Sequence, residues 1–525
     1  MKLLRRKRYI EELPLLVGIA IGCYWLWRLG SAWVLDGQFD GYDWPGYTQN
    51  AWMVGQGHVG ATQGLRGLLH PYLMGHLGEW LGDYANAGVV IASASMTFFV
   101  ASIGLCVRTF GGPWLGGATA IVVGGLSGVA QASRWSNSYA LLGGCSALGI
   151  ALACVNMRQA RWSISACSGI AVGLAYATDL RGVLFLPLAL CAPLIAKGPW
   201  MRRLGCVLLV WGCFQIGPNF RSWIGAPPAV SSQERILIQQ PVVKRWLQQA
   251  QDPELDKACR RANPNTFWTA EFLKTDCAQE LVRHNISHRL LTYFPFGLAS
   301  TWYLACFVFF PGRDGWRGFF RGALFAIGAV GPVLVMSALT PFANRYIIQM
   351  LLPIACAVPI ACAQISRTLV PRRLTGWAYF VIAFVLLKFG WEKDASDRYR
   401  PVAQNPYDHF NRIVKAVESR IGVDDLYMDC SNHFVNIAML PKQTHKGMPI
   451  LNADNEGIRC MQWIFSKEEA PVGSQVWFST ASDKEIRIRQ GSDPNDRQSL
   501  TPIVKGSELW ELVWEEAPFQ LWRRY

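Results

Sequence analysis

Long apolar runs separated by short basic connections set the pattern of this chain. A bilayer crossing needs about 20 apolar residues. Candidate spans fall at 13–35, 87–107, 114–130, 139–155, 163–177, 182–196 and 204–216, then at 290–310, 319–339, 346–363 and 374–389. The pattern thus predicts about eleven transmembrane helices. Several in the middle are short, so a merged or re-entrant pair would change the count. Three polar intervals are large: 36–86, 217–289 and the tail beyond 390.

The tail has a different periodicity. Asn405-Pro406 opens a predicted helix, with Phe410, Ile413, Val414 and Val417 on one side. Strand-like runs follow at 426–428, 475–479, 485–489 and 509–514. The expected organisation is a polytopic α-helical membrane domain over 1–390 and a C-terminal soluble α+β domain over 391–525.

Charge orients the spans. With the N-terminus in the cytoplasm, the inner connections hold seventeen Lys and Arg and the short outer ones five: Arg28, Arg66, Arg134, Arg181 and Arg345. This is the bias of the positive-inside rule. An odd number of spans then puts the two large loops and the tail outside, as expected of a multi-pass protein of the cell (inner) membrane with an extracytoplasmic, periplasmic-type domain. Composition agrees, with 51% hydrophobic residues and 16% charged against about 25% charged in soluble domains. The net charge of +14 is spent on topology and predicts no nucleic-acid partner. Nor does a cleavable signal follow the basic flank from Met1 to Arg8, because the first span lacks a small-residue cleavage site.

Eleven of the 15 cysteines fall within spans, where a thiol behaves as a small hydrophobe. The others form two outer pairs, Cys259 with Cys277 and Cys430 with Cys460, which an oxidising compartment would favour as disulfides. All eight His lie in outer segments. His284 and His288 would share a helix face. With no third ligand near, the expected reading is a solvated face and not a metal site. The amphipathic run 242–247 is expected to lie on the membrane or over a site.

The candidate chemistry sits just after the first span. Asp36, Asp40 and Asp43 stand within eight positions at the membrane edge, followed by Trp44-Pro45-Gly46-Tyr47. Carboxylates there are costly to desolvate, and a site needing a base is one reason to keep them. A wet turn capping a helix is the other reading. The glycines nearby form no phosphate-cradling fingerprint.

The run Asp43-Trp-Pro-Gly-Tyr47-Thr-Gln-Asn-Ala51 through Gly57 resembles the Asp-Glu-x-x-Tyr-x-x-x-Ala pattern of polyprenyl-phosphate-dependent glycosyltransferases. These have the membrane-embedded GT-C fold and include the protein O-mannosyltransferase-like and aminoarabinose transferase-like enzymes. His70-Pro71-Tyr72-Leu73, Arg134, the run 174–182 and Asn344-Arg345-Tyr346 are similar to further family positions. Trp44 departs from the pattern, where the family has Glu, so a second-carboxylate role there is lost unless Asp40 supplies it. The likeness spans roughly 13–363 and omits the tail.

The resemblance implies transfer of a sugar from a polyprenyl-phosphate donor to a lipid, polysaccharide or protein acceptor on the outer face, with inversion. It implies Asp43 as general base with Asp40 beside it, and Arg345, Arg181 and Arg134 on the donor phosphate. His70, Tyr47 and Tyr346 would line the site. Arg181 has Asp179 as an alternative partner. No cofactor is implied with certainty, and no ligand cluster supports a divalent metal. Two other classes stay open: a lipid or polysaccharide transporter or flippase, and a non-catalytic membrane subunit with a binding tail.

Overall fold

The computed structural model describes residues 2–32, 50–51, 54–55, 57, 59, 67–82, 84–134, 138–226, 253–259, 274–284, 316–325, 327–328, 376–388, 416, 419–421, 425–430, 475–481, 488–489, 497–498, 504–516 and 519–525. They divide into two compact units. One comprises Met1–Gln38, Gly64–His70 and Val89–Tyr399, and the other Phe39–Gln63, Pro71–Gly88 and Arg400–Tyr525.

The described helices are α1 (Lys2–Ala32), α2 (Leu69–Leu81), α3 (Tyr84–Gly111), α4 (Pro113–Gly124), α5 (Ser127–Ala132), α6 (Ser138–Asn156) and α7 (Trp162–Thr178), then α8 (Leu186–Cys191), α9 (Trp200–Phe214) and α10 (Ile216–Trp223). Beyond these lie α11 (Pro253–Cys259), α12 (Asp276–His284), α13 (Trp316–Phe325) and α14 (Gly376–Lys388). Among the described residues, three stretches are long and apolar enough to cross a membrane: Ile10–Gly30, Asn86–Gly111 and Ser138–Asn156. The expected spans 290–310 and 346–363 lie outside the described residues, as does most of 319–339.

Of the expected spans, one is interrupted and one changes its winding along a continuous helical stretch. The run 114–130 divides into α4 and α5 around Gly124 and Gly125. The run 182–196 becomes a 3-10 turn (Leu180–Phe185), α8 and a second 3-10 turn (Ala192–Ile195). Pro187 and Pro193 lack the N–H that a continuous helix would use, so each restarts the winding.

Lipid gives apolar helices no hydrophobic reason to associate, so close packing of small residues must hold them together. In α1, Gly18 and Gly22 share a face. A Cβ on Gly18 would overlap the Gly117 backbone, one on Gly22 the Ala120 carbonyl, and one on Gly124 the Gly22 carbonyl. The same device joins α6 to α3, where Gly144 meets the Ser95 backbone, and α7 to α9, where Gly169 meets Val210 and Gly173 meets Phe214. Over these contacts lies one buried core that includes Leu26, Met96, Phe99, Val100, Ile103 and Phe325. Apolar side chains left on the outside, such as Leu13, Leu16, Trp27, Leu208, Trp211 and Phe384, are exposed and form the faces that lipid would cover.

The contacts also give direction. Gly18 and Gly22 meet successive turns of α4 in the same order, so α1 and α4 run parallel. Glu12 near the start of α1 pairs with Arg108 near the end of α3, so these two are antiparallel. Asn156 at the end of α6 donates to Ser165 near the start of α7 at 2.7 Å, and Ser168 donates to the Gly149 carbonyl further back along α6 at 3.2 Å, so these two are antiparallel as well. The chain therefore runs up, down, up, down and up through α1, α3, α4–α5, α6 and α7.

In the other unit, β1 (Leu426–Cys430), β2 (Val476–Ala481), β6 (Phe519–Arg524) and β5 (Trp510–Glu516) form one sheet in the order β1-β2-β6-β5. The β1–β2 pair is parallel and the other two pairs are antiparallel. Strands β3 (Ile488–Arg489) and β4 (Arg497–Gln498) pair separately. Trp477, Trp510, Leu521 and Trp522 are buried. Asp425 accepts bonds from Gln475 N at 2.7 Å and Trp477 Nε1 at 2.8 Å, which satisfies a buried carboxylate. The predicted helix near 406–417 lies outside the described residues apart from position 416.

Cys259 and Cys277 form a disulfide linking α11 to α12, with a Cα–Cα distance of 4.6 Å. Cys430 ends β1, and Cys460 lies outside the described residues. His284 ends α12 buried, not solvated as its spacing with His288 predicted, because the helix turns that face toward its own core of Cys277, Ala278 and Leu281. His288 and the run 242–247 lie outside the described residues. Closing a loop of this length stabilises by about 3 kcal/mol. Substituting Cys277→Ser should therefore expose this loop to trypsin under conditions where the wild type resists, as read on a non-reducing gel.

Candidate active site

The helix directions sort the polar residues of the membrane unit onto two ends. One end gathers the close of α1, the close of α5, the start of α6 and the close of α7. Here Ser93 Oγ donates to the Ser133 carbonyl at 2.8 Å, and a Cβ on Gly30 would lie 3.0 Å from Arg134 Nε. α1 closes at this end with Ala32, four residues before Asp36 in the sequence. Asp36, Asp40, Asp43, Tyr47, Arg345 and Tyr346 themselves lie outside the described residues.

Arg181 and Asp179 make the ion pair that their spacing allowed. Asp179 caps the 3-10 turn by accepting from Arg181 N at 2.9 Å, and its carboxylate takes Arg181 Nε at 2.8 Å and Nη2 at 2.7 Å. The guanidinium also lies over the Tyr139 ring, 5.3 Å from its centre, a favourable cation–π geometry. Arg181 is thus oriented and locally neutralised.

Arg134 differs. It is half-buried, its Nε is buried without a hydrogen-bond partner among the described residues, and no described carboxylate pairs with it. Burial lowers its pKa from the ordinary value, yet a guanidinium stays charged at any working pH. A cation held this way suits an incoming phosphate oxygen.

His70 is not in a loop as the sequence reading placed it. It is the second residue of α2, with Pro71 tolerated because the first helical turn needs no N–H from it. Its side chain is fully buried, and burial pushes its pKa down to about 3. His70 is therefore neutral at physiological pH and is no proton donor there. A folded pKa below the usual 6.5 stabilises the fold above that pH, and the contribution is lost as pH falls from 6.5 toward 3. The thermal midpoint of the detergent-solubilised protein should accordingly fall between pH 6.5 and 4.5, with a flatter slope in His70→Phe.

Tyr139 and Gly67 were not singled out from the sequence. A Cβ on Gly67 would overlap the Thr178 carbonyl, so this glycine lets the chain just before α2 lie directly on the end of α7. Tyr139 reads in sequence as the start of a span, with nothing to mark its contact to Arg181. Among the described residues no group of three or more His, Cys, Asp or Glu could hold a metal ion.

No protein-family model matches the chain, and neither does any curated protein sequence. Solved structures do. The crystal structure of ArnT from Cupriavidus metallidurans bound to undecaprenyl phosphate is similar with a TM-score of 0.56 and 11% identity, over 97% of this chain and 97% of that one. The oligosaccharyltransferase of Archaeoglobus fulgidus, in complex with zinc and sulfate, is similar with a TM-score of 0.49 and 10% identity, over 88% of this chain and 68% of that one. The fold is the GT-C fold that this chain shares with ArnT, as the sequence resemblance implied.

Proposed function

We propose that this chain is an integral-membrane glycosyltransferase that moves one sugar from a polyprenyl-phosphate donor to an acceptor on the outer face of the cell inner membrane. The observation that carries the reading is the likeness to ArnT, solved with undecaprenyl phosphate, along nearly the whole of both chains. The end of the bundle that bears Arg134, where α1 closes four residues before Asp36 in the sequence, supports it. The proposed division is a membrane domain over 1–390 and an extracytoplasmic domain over 391–525, with the N-terminus in the cytoplasm. The second end of the bundle, rich in cations, fits the cytoplasmic side.

The acceptor hydroxyl oxygen attacks the anomeric carbon from the face opposite the phosphate. The bond from that carbon to the phosphate oxygen breaks as the new bond forms, so the configuration inverts. Asp43 takes the hydroxyl proton. The lipid phosphate leaves with the electron pair, and Arg134 and Arg345 stabilise its charge. Arg181, already shared with Asp179, orients the rim.

The test is release of free undecaprenyl phosphate from a panel of undecaprenyl-phosphate-linked sugars, with envelope extract as acceptor source. The wild-type protein should release it from at least one donor. Absence of release across the panel, with folded protein, would count against the reading. Arg134→Gln should raise KM for the donor by roughly tenfold or more, the scale of a lost charge-assisted hydrogen bond, with a smaller change in kcat.

A further inference from the structure

Gly30, in the last turn of α1, differs from the glycines that hold α1 to α4. A Cβ on Gly18 or Gly22 would meet backbone atoms. On Gly30 it would meet two side chains instead, Ser133 Oγ at 2.7 Å and Arg134 Nε at 3.0 Å, with the Ala130 carbonyl at an ordinary 3.5 Å. Backbone conformation does not call for glycine at this position, because its φ is not positive. Gly30 is buried, and what its missing side chain leaves is room. The ends of Ser133 and Arg134 take that room.

The backbone leading into Arg134 is fixed. Ser133 N donates to the Val129 and Ala130 carbonyls at 3.1 and 3.2 Å, and Ser133 Oγ donates to the Ala130 carbonyl at 2.6 Å. The Ser133 carbonyl in turn accepts from Ser93 Oγ of α3 at 2.8 Å, and Ser133 is buried. Arg134 is left with the torsions of its own stem, and an arginine stem has many rotamers to lose. Its Nε, the atom facing Gly30, is buried without a hydrogen-bond partner among the described residues. The direction of the guanidinium is therefore set by contact with the bare backbone of α1.

We propose that Gly30 is a positioning residue for the donor phosphate, the wall against which Arg134 is aimed. The inference rests on the sugar-transfer reading above, in which Arg134 meets the lipid phosphate. A charge-assisted hydrogen bond depends on direction as well as distance, so a guanidinium pushed aside loses its hold on a phosphate whose place the lipid sets. A methyl group at position 30 pushes on Ser133 Oγ and Arg134 Nε, both movable side-chain ends, and leaves the two backbones where they are. Alanine is also the better helix former. Gly30→Ala thus keeps the fold and weakens donor binding, a combination that a packing defect does not produce.

The test uses the full-length protein in neutral detergent, with undecaprenyl phosphate as the probe. Native mass spectrometry reads its binding, the thermal midpoint is taken without lipid, and release kinetics are measured on a donor that the wild type accepts. Gly30→Ala should weaken undecaprenyl phosphate binding and raise the donor KM by roughly fivefold, less than the loss of the whole charge-assisted bond in Arg134→Gln. The change in kcat should be smaller, and the lipid-free midpoint should not fall. In Arg134→Gln protein, adding Gly30→Ala should cost nothing further. Gly128→Ala in α5, where a Cβ meets nothing within 4 Å, should bind as the wild type does. Unchanged binding in Gly30→Ala would overturn the proposal. So would a loss accompanied by a lower midpoint, or a loss that simply adds to that of Arg134→Gln. Those outcomes leave the transfer activity standing. Wild-type protein that binds no undecaprenyl phosphate would instead remove the donor reading, and the role of Gly30 with it.

Discussion

Replacing Asp43 with Asn should lower turnover by about 10²–10⁴-fold, the usual contribution of a positioned general base, while the protein still folds and binds its lipid donor. Asn keeps the size and the capping capacity of Asp, so a helix-capping role at Trp44-Pro45 would survive the change and activity with it. Loss of turnover at unchanged expression and unchanged donor KM identifies the base. Retained turnover removes Asp43 from the chemistry and turns attention to Asp40. The substitution also has a pH signature. A rate limited by an ionised carboxylate rises with pH through that group's pKa, and this acidic limb should vanish in the Asn variant.

The second large effect is on the fold. Gly22→Leu should abolish the α1–α4 contact, because even a Cβ at this position would overlap the Ala120 carbonyl and approach Ile121 N at 3.2 Å. Backbone atoms cannot move aside as the end of a side chain can. Overpacking a tight core costs about 1–3 kcal/mol and sometimes more, and here the helices must separate along the Gly18–Gly22 face. The expected result is a sharp fall in monodisperse protein after detergent extraction. Gly212→Leu, where a Cβ would meet nothing within 4 Å, should extract normally. Equal yields from the two variants would mean that the small-residue seam does not hold the bundle.

Much of the membrane unit can be read from the apolar runs. The expected spans at 87–107, 139–155 and 163–177 coincide with α3, α6 and α7 to within a few residues, because uninterrupted apolar length is a strong signal. The run 182–196 is equally apolar, but its winding is decided by Pro187 and Pro193, which hydropathy ignores. The strand-like runs at 426–428, 475–479 and 509–514 coincide with β1, β2 and β5, where alternation and β-branched or aromatic residues mark a pleated surface. The order β1-β2-β6-β5 was not legible, since pairing depends on contacts far apart in sequence.

The candidate site was legible in part for a similar reason. The Asp179–Arg181 pair could be anticipated because two residues on a tight turn are local. The stacking of Arg181 on Tyr139 and the press of Gly67 against Thr178 bring together positions forty or more residues apart. Nothing in either neighbourhood announces them. His70 shows the opposite failure. Its sequence neighbours fit a loop, and only the packing that buries it makes it a neutral imidazole.

The most direct measurement is a structure of the full-length protein with a bound undecaprenyl-phosphate-sugar. The phosphorus should sit at the end of the bundle where α1, α5 and α7 close, with a phosphate oxygen about 3 Å from the Arg134 guanidinium and the anomeric carbon facing the Asp43 carboxylate. A donor phosphate bound instead among Arg158, Arg161 and Lys197, or an Asp43 directed away from the sugar, would contradict the proposed transfer site.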